Sequence, residues 1–282
     1  MPESASVRHT TRRTSADASV AGGLLVLDKP SGPTSFDCVQ KARGILRAKR
    51  VGHCGTLDPM AEGVLVLLFG SHTRRQQEFL AMEKQYWFRS ELGRFTDTGD
   101  RMGKTTETLP AGPLSRSILE SAAKGFMGDS WQIPPKVSAV KFQGKRLYEW
   151  TRKGIDVPRP PRHIHIAAFD ILSFEGSFYE ARVICSRGTY IRTLAEDMAR
   201  RLGTGGLVDA LIRERVGSYC RQDALSWERL CRCNREELLS LAVTPAKAGV
   251  PQWPGLDSRP PHDWAGAPEV WRARFRGNDD LP

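Results

Sequence analysis

Nine residues constrain this chain more than any other stretch: Val51-Gly52-His53-Cys54-Gly55-Thr56-Leu57-Asp58-Pro59, followed closely by the apolar run Gly63-Val64-Leu65-Val66-Leu67-Leu68-Phe69-Gly70. A short apolar run bounded by glycines reads as a buried strand. Gly52 and Gly55 allow a backbone that bulkier residues resist. Pro59 pushes Asp58 out of the helical region into an extended one. The sequence therefore predicts a short-stemmed carboxylate on a stiff turn beside a buried strand, which is how a chain presents one reactive group to a cleft. An Asp-Pro pair more often only closes a turn. Asp58 needs company before chemistry can be assigned to it.

A chain of 282 residues, 40% apolar and 26% charged, can build a real core and reads as a globular protein. The longest strongly apolar run, Val64 to Phe69, is far too short to cross a bilayer. Residues 1–20 are rich in Ser, Thr and Arg, lack the apolar centre of a secretory signal, and read as a disordered tail. These features point away from membranes and toward the cytoplasm, where the six cysteines stay reduced. Cys231 and Cys233 are spaced Cys-x-Cys, but no other pair lies close enough to complete a four-ligand zinc pattern, so no metal is expected.

The net charge is +10. Residues 1–20 hold three basic and two acidic side chains and residues 241–282 hold five of each, which leaves +9 for 21–240. A basic body suits a polyanionic partner and predicts binding that weakens steeply with salt.

Leu24 to Leu27 reads as a buried strand, and Thr34 or Ser35 as the cap of a helix with Phe36, Val39 and Leu46 near helical spacing. Arg43, Arg47, Lys49 and Arg50 bring positive charge up to the Asp58 loop. Tyr86 to Leu92 reads as a strand, Gly93 to Asp100 as a polar loop, and Ser115 to Phe126 as a capped helix with Ile118, Ala122 and Phe126 on one face. Lys136 to Pro161 interleaves Lys141, Lys145, Arg146 and other cations with Phe142, Tyr148 and Trp150. Such a mixture fits RNA, whose phosphates take the cations and whose bases stack on rings; a solvated amphipathic helix fits it equally. Ile164 to Leu172 and Tyr179 to Ser186 read as strands. A helix then carries Leu194, Met198 and Leu202 on one side and stops at Gly203. Leu207 to Arg215 reads as a last helix and Val216 to Tyr219 as a strand. Beyond about Leu241 the chain holds seven of its eighteen prolines in 42 residues, without periodicity, and reads as an irregular tail.

The chain carries, in order, Gly-Gly-Leu-Leu-Val-Leu-Asp-Lys-Pro from Gly22, the nine residues from Val51, Lys-Gln-Tyr from Lys84, Leu-Gly-Arg-Phe-Thr-Asp-Thr from Leu92, Pro-Pro-Lys-Val-Ser-Ala-Val-Lys from Pro134, Gly-Lys-Arg-Leu-Tyr from Gly144, and Cys-Ser-Arg-Gly-Thr-Tyr-Ile-Arg-Thr from Cys185. Together these segments resemble the bacterial TruB-type tRNA pseudouridine synthases. The resemblance covers about 22–220 in the right order. It implies an α/β (α+β) fold: a mixed, largely antiparallel sheet with helices packed on it and a thumb insertion. It also implies conversion of uridine 55 in the tRNA T loop to pseudouridine, without cofactor or metal.

The resemblance assigns Asp58 as the nucleophile, Tyr86 as the ring that stacks on the flipped uracil and helps remove the last proton, and Arg192 as the partner of the aspartate. His53 would fill space left in the T loop, and Tyr190 and Leu211 would line the uridine pocket. Lys141, Lys145 and Arg146 would meet the RNA backbone from the thumb. The organisation expected is a disordered tail at 1–20, a catalytic domain at 21–240 with the thumb at about 136–161, and an irregular tail at 241–282. The partner expected is the T loop and stem of tRNA, bound by a monomer with no obligate protein partner. Cys54 departs from the family, which usually has Thr there; a thiol is a weaker hydrogen-bond donor, which puts the loop's rigidity in question. Two rivals stand beside this reading: a guide-dependent synthase acting on other RNA, and an RNA-binding helper of tRNA folding whose catalysis is secondary.

Overall fold

A computed structural model of the protein describes residues 22–138 and 140–242. The tail expected at 1–20, and all but the first two residues of the one expected at 241–282, lie outside the described residues.

β1 (Gly22–Lys29) leads into α1 (Ser35–Leu46), which opens on a capping box. The Thr34 hydroxyl accepts from the Asp37 N–H, and the Asp37 carboxylate accepts from the Thr34 N–H. β2 (Val51–His53) and β3 (Glu62–Gly70) bracket the Asp58 loop. α2 (Gln76–Ala81) leads to β4 (Lys84–Leu92), and β5 (Arg94–Thr96) pairs with β6 (Thr105–Thr108) in a small hairpin. α3 (Arg116–Lys124), capped by Ser115, precedes β7 (Gly128–Gln132). The segment read as a thumb folds into a two-residue ladder, β8 (Lys141–Phe142) and β9 (Lys145–Arg146), followed by α4 (Leu147–Thr151). The long strands β10 (Arg162–Glu175) and β11 (Phe178–Cys185), α5 (Ile191–Arg201) and β12 (Gly206–Val216) come next. β13 (Tyr219–Cys220), β14 (Leu225–Ser226), α6 (Trp227–Arg232) and α7 (Arg235–Ser240) complete the described chain.

Ten strands form one mixed sheet in the order β14-β1-β3-β12-β4-β11-β10-β7, with β2 on β3 and β13 on β12. The β1–β14 and β3–β12 pairs are parallel and the other pairs antiparallel, as the expected fold class requires. β3 explains its own apolar run. Leu65, Leu67 and Phe69 enter the main core with α1 and α5, while Val64, Val66 and Leu68 enter a second cluster with Phe79, Met82 and Cys54. A strand covered on both faces has no place for polar alternation. β4, covered less evenly, does alternate: Lys84, Tyr86, Phe88, Ser90 and Leu92 are buried, and the residues between them are not.

The stretch Leu207 to Arg215 is not a helix. It lies within β12, between β3 and β4 at the centre of the sheet. Its Leu, Ala, Arg and Glu favour helix locally, but hydrogen bonding to two neighbours and burial override that preference. Register shifts at Val208/Ala210 and Arg213/Arg215 break the two-residue alternation that would have marked a strand. Val216 and Tyr219 likewise belong to two strands, β12 and β13, joined by a tight turn at Gly217 and Ser218. Part of the loop expected at Gly93 to Asp100 is β5. In α3 the buried face is Leu119, Ala122 and Ala123, and Ile118 is exposed; in α1 Phe36 is exposed and Cys38, Val39, Ala42 and Leu46 are buried.

Candidate active site

The Asp58 loop is tied down at almost every peptide. The Cys54 N–H donates to the Val66 carbonyl at 2.9 Å. Ser35 Oγ accepts from the Leu57 N–H at 2.9 Å and donates to the Leu57 carbonyl at 3.1 Å. The Pro59 carbonyl takes the Gly32 N–H at 2.8 Å and Lys29 Nζ at 3.2 Å. Arg213 Nη2 donates to the Gly55 carbonyl at 3.0 Å. Gly63, just after the loop, sits at φ +101° against the Arg213 backbone, where any Cβ would collide. Cys54 therefore does not loosen the loop: its peptide supplies the hydrogen bond, and its side chain is fully buried in the second apolar cluster. Burial pushes its thiol up to about 12, so it packs as a small hydrophobe.

This frame aims Asp58 at Arg192 on the first turn of α5. Arg192 Nε donates to Asp58 Oδ2 at 2.8 Å and Nη2 to Oδ1 at 3.0 Å, a two-pronged pair. The guanidinium also donates to the carbonyls of Thr98 at 2.6 Å and Val137 at 2.9 Å, and Asp100 Oδ2 lies 3.9 Å from Nε. The Arg192 side chain is 3% exposed and that of Asp58 33%. The arginine is a buried anchor, and the carboxylate it holds looks into open space.

That space is a cavity of about 570 Å³. Asp58, Tyr86, Tyr190 and Leu211 all line it. β4 puts Tyr86 on the core face, and burial raises its phenol above the ordinary value. Tyr190 is fixed through its backbone: its N–H donates to Gln132 Oε1 at 2.7 Å, and Gln132 Nε2 donates back to its carbonyl at 3.0 Å. Leu211 pairs with Phe88 across β12 and β4. His53 sits apart on β2, outside the cavity walls. Its carbonyl accepts from Gln76, its Nδ1 is buried without a hydrogen bond among the described residues, and burial beside Arg213 and Arg146 lowers its pKa to about 4. The ring is neutral at physiological pH.

Among the described residues, the segment 136–161 reaches the cavity by its roots, through Ser138, Pro160 and Pro161. Lys145 and Arg146 are exposed at the far ladder, with Lys145 Nζ 5.2 Å from the centre of the Trp150 ring; Lys141 is in the facing strand.

Sequence reading assigned no part to two further basic residues on the cavity wall, Lys84 and Arg213, nor to Lys29 beside the loop. Lys84 stands two residues before Tyr86 in a strand, so strand parity alone puts it on the core face. Arg213 stands two after Leu211 and was hidden by the helical reading of β12. Among the described residues no helix is long and apolar enough to cross a membrane.

A family model described as TruB family pseudouridylate synthase (N terminal domain) matches residues 43–191. The tRNA pseudouridine synthase B of Opitutus terrae is 41% identical over 208 residues, which is 74% of this chain and 86% of that protein. The protein of the same name from Endomicrobium trichonymphae is 42% identical over 206 residues, 73% of this chain and 90% of the relative. Among solved structures, a chain from a Cbf5-Nop10-Gar1 complex is similar with a TM-score of 0.57 at 29% identity, over 73% of this chain and 52% of that one. A chain from an H/ACA RNP bound to a substrate RNA containing 2′-deoxyuridine gives 0.54 at 26%, over 73% of this chain and 51% of that one.

Proposed function

The chain belongs to the TruB family of pseudouridylate synthases, and on that premise we propose that it converts uridine 55 in the T loop of tRNA to pseudouridine, with Asp58 as nucleophile. One observation carries the assignment to Asp58: a carboxylate gripped at both oxygens by a buried arginine, on the wall of a cavity that also holds Tyr86.

The target base leaves its stack and enters the cavity, at a cost of a few kcal/mol. Stacking on Tyr86 recovers part of that cost, and Tyr190 and Leu211 close the sides. Asp58 attacks the nucleotide, the bond between base and ribose breaks, the uracil turns, and a carbon–carbon bond replaces the carbon–nitrogen bond. A nucleophilic carboxylate must stay ionised after water is excluded, and burial opposes that. Arg192 holds both carboxylate oxygens and fixes their direction. Tyr86 also helps remove the last proton from the ring. His53 fills the space the flipped base leaves in the T loop, and Lys141, Lys145 and Arg146 meet phosphates from the thumb at about 136–161. We place the whole of this chemistry in 21–240 and infer that the protein acts as a monomer in the cytoplasm.

The test is incubation of the purified chain with an unmodified tRNA transcript, followed by mapping of pseudouridine. Product at uridine 55 and nowhere else supports the reading. No product on bare tRNA, with product on another RNA once a guide is added, would transfer the chain to the guide-dependent class.

A further inference from the structure

Two cations on the cavity wall are buried without an acidic partner among the described residues. Arg213 is 1% exposed and Lys84 5%. Arg213 Nε donates to the Val64 carbonyl at 2.7 Å and Nη2 to the Gly55 carbonyl at 3.0 Å, and the residue stands opposite Tyr86 across β12 and β4. Lys84 Nζ donates to the carbonyls of Leu80, at 2.6 Å, and Met82. Among the described residues neither is in an ion pair, and Asp58, the carboxylate that lines the cavity, is committed to Arg192. Lys84 and Tyr86 share one face of β4, and Arg213 pairs with Tyr86 from β12, so the two cations flank the tyrosine.

Such an arrangement is costly. A buried cation is ordinarily paired, because desolvation of the charge is not otherwise repaid. Burial, with Arg213 adding repulsion, lowers Lys84 to about 7, so negative charge arriving in the cavity is what holds the proton on it. Unpaired charges of one sign around a cavity are suited to stabilising the opposite charge when it develops there. The carbonyl acceptors satisfy the hydrogen bonds of both cations but neutralise neither.

We propose that Lys84 and Arg213 form a cationic wall that stabilises negative charge on the uracil ring during its isomerisation. The inference rests on the isomerase reading above. When the bond from N1 to C1′ breaks, its electron pair stays on N1 and the ring becomes an anion delocalised over its carbonyl oxygens, while C1′ bonds the Asp58 carboxylate. The ring then turns, C5 uses that pair to bond C1′, and the carboxylate is released. C5 finally loses its proton and N1 gains one, so uridine and pseudouridine have the same atoms and charge. Addition of Asp58 to C6 at the outset would also place an electron pair on the ring, and the same wall would meet it.

The test uses the full chain and two T-arm RNAs, one with uridine and one with 5-fluorouridine at the target position. Lys84→Met removes the charge and keeps the apolar stem; Lys84→Gln removes it and keeps a donor for the same carbonyls. Both variants should lower kcat on the uridine RNA about 100-fold with KM unchanged, in line with loss of one preorganised electrostatic contact. Thermal stability should hold or rise in Lys84→Gln, which keeps a donor for those carbonyls, while in Lys84→Met the loss of an unpaired buried cation is offset by the two carbonyls left without their donor. Fluorine helps the ring carry charge, so consumption of 5-fluorouridine should fall tenfold or less, and Lys84→Arg should recover most of the activity on both RNAs. Equal losses on the two RNAs, a loss confined to KM, or wild-type kcat in both neutral variants would overturn the proposal. Wild-type chain on the uridine RNA separates the two levels. If it makes no pseudouridine, the isomerase reading fails; if it does and the neutral variants match it, only the cationic wall fails.

Discussion

Replacing Arg192 by Ala should cost the fold about 4 kcal/mol, and the structure shows where that figure comes from. The guanidinium makes two hydrogen bonds to Asp58 and one each to the carbonyls of Thr98 and Val137, with Asp100 at 3.9 Å. Removing one partner of a buried pair costs roughly 3–5 kcal/mol, because the other charge stays buried. Asp58, one-third exposed, can be rehydrated and loses less. Asp100 cannot: its side chain is 9% exposed, and among the described residues the Thr98 hydroxyl and the Met102 N–H are the donors that remain on its carboxylate. The two orphaned carbonyls, normally worth about 1 kcal/mol each as bonds, keep the total from falling below that range. For a domain of this size a loss of 4 kcal/mol lowers the melting temperature by roughly 8–16 °C. The assay is urea unfolding followed by circular dichroism, with ΔG compared at matched slope. Arg192→Lys keeps the charge but loses the fork, and should recover about half of the loss. A loss under about 1 kcal/mol in Arg192→Ala would refute the claim that this arginine is the anchor of the site.

Two other perturbations probe the regions around it. Changing Lys141, Lys145 and Arg146 together to Ala should weaken tRNA binding and flatten the slope of log affinity against log salt, because fewer counterions are released; an unchanged slope would mean this segment does not touch the RNA backbone. His53 has a folded pKa of about 4, below the ordinary 6.5, because burial penalises its charged form. The unfolded chain therefore takes up this proton first as pH falls, and the contribution, fully present above about pH 6.5, is lost toward pH 4. His53→Gln should lose on the order of 1–2 kcal/mol less stability than wild type between pH 7 and 5, measured by urea unfolding at each pH; equal losses would contradict the burial of a neutral ring.

The Asp58 loop was legible because glycine, proline and a doubly buried strand each leave a strong local mark. The companions Tyr86, Tyr190 and Arg192 stand in ordinary strand and helix contexts, and only their joint order in the chain singled them out. β12 was illegible for a definite reason: its two register shifts erased the alternation, and its Leu, Ala, Arg and Glu spoke for helix. That one misreading also hid Arg213, since a residue two places from Leu211 on a strand shares its face. Lys84 was within reach, because the alternation of β4 is unbroken from Lys84 to Leu92. A lone cation in a strand reads as a solvated one, and only the sheet order shows that this face is covered. No local pattern could have brought Thr98 and Val137 to Arg192, which is 94 and 55 residues away from them.

The role given to Asp58 is tested most directly by Asp58→Asn. Asparagine is nearly the same size and keeps one carbonyl for Arg192, but it carries no charge and is a poor nucleophile. The measurement is pseudouridine mapped on an unmodified tRNA transcript, alongside tRNA affinity for the same preparation. If Asp58 attacks the nucleotide, pseudouridine formation is abolished. Affinity is kept or slightly raised, because phosphate contacts and stacking hold the RNA and one repelling charge is gone. An Asp58→Asn protein that still promotes tRNA folding would show a helper role beside the chemistry. An Asp58→Asn protein that forms pseudouridine at the wild-type rate would contradict the assignment outright and leave Asp58 as the end of a turn.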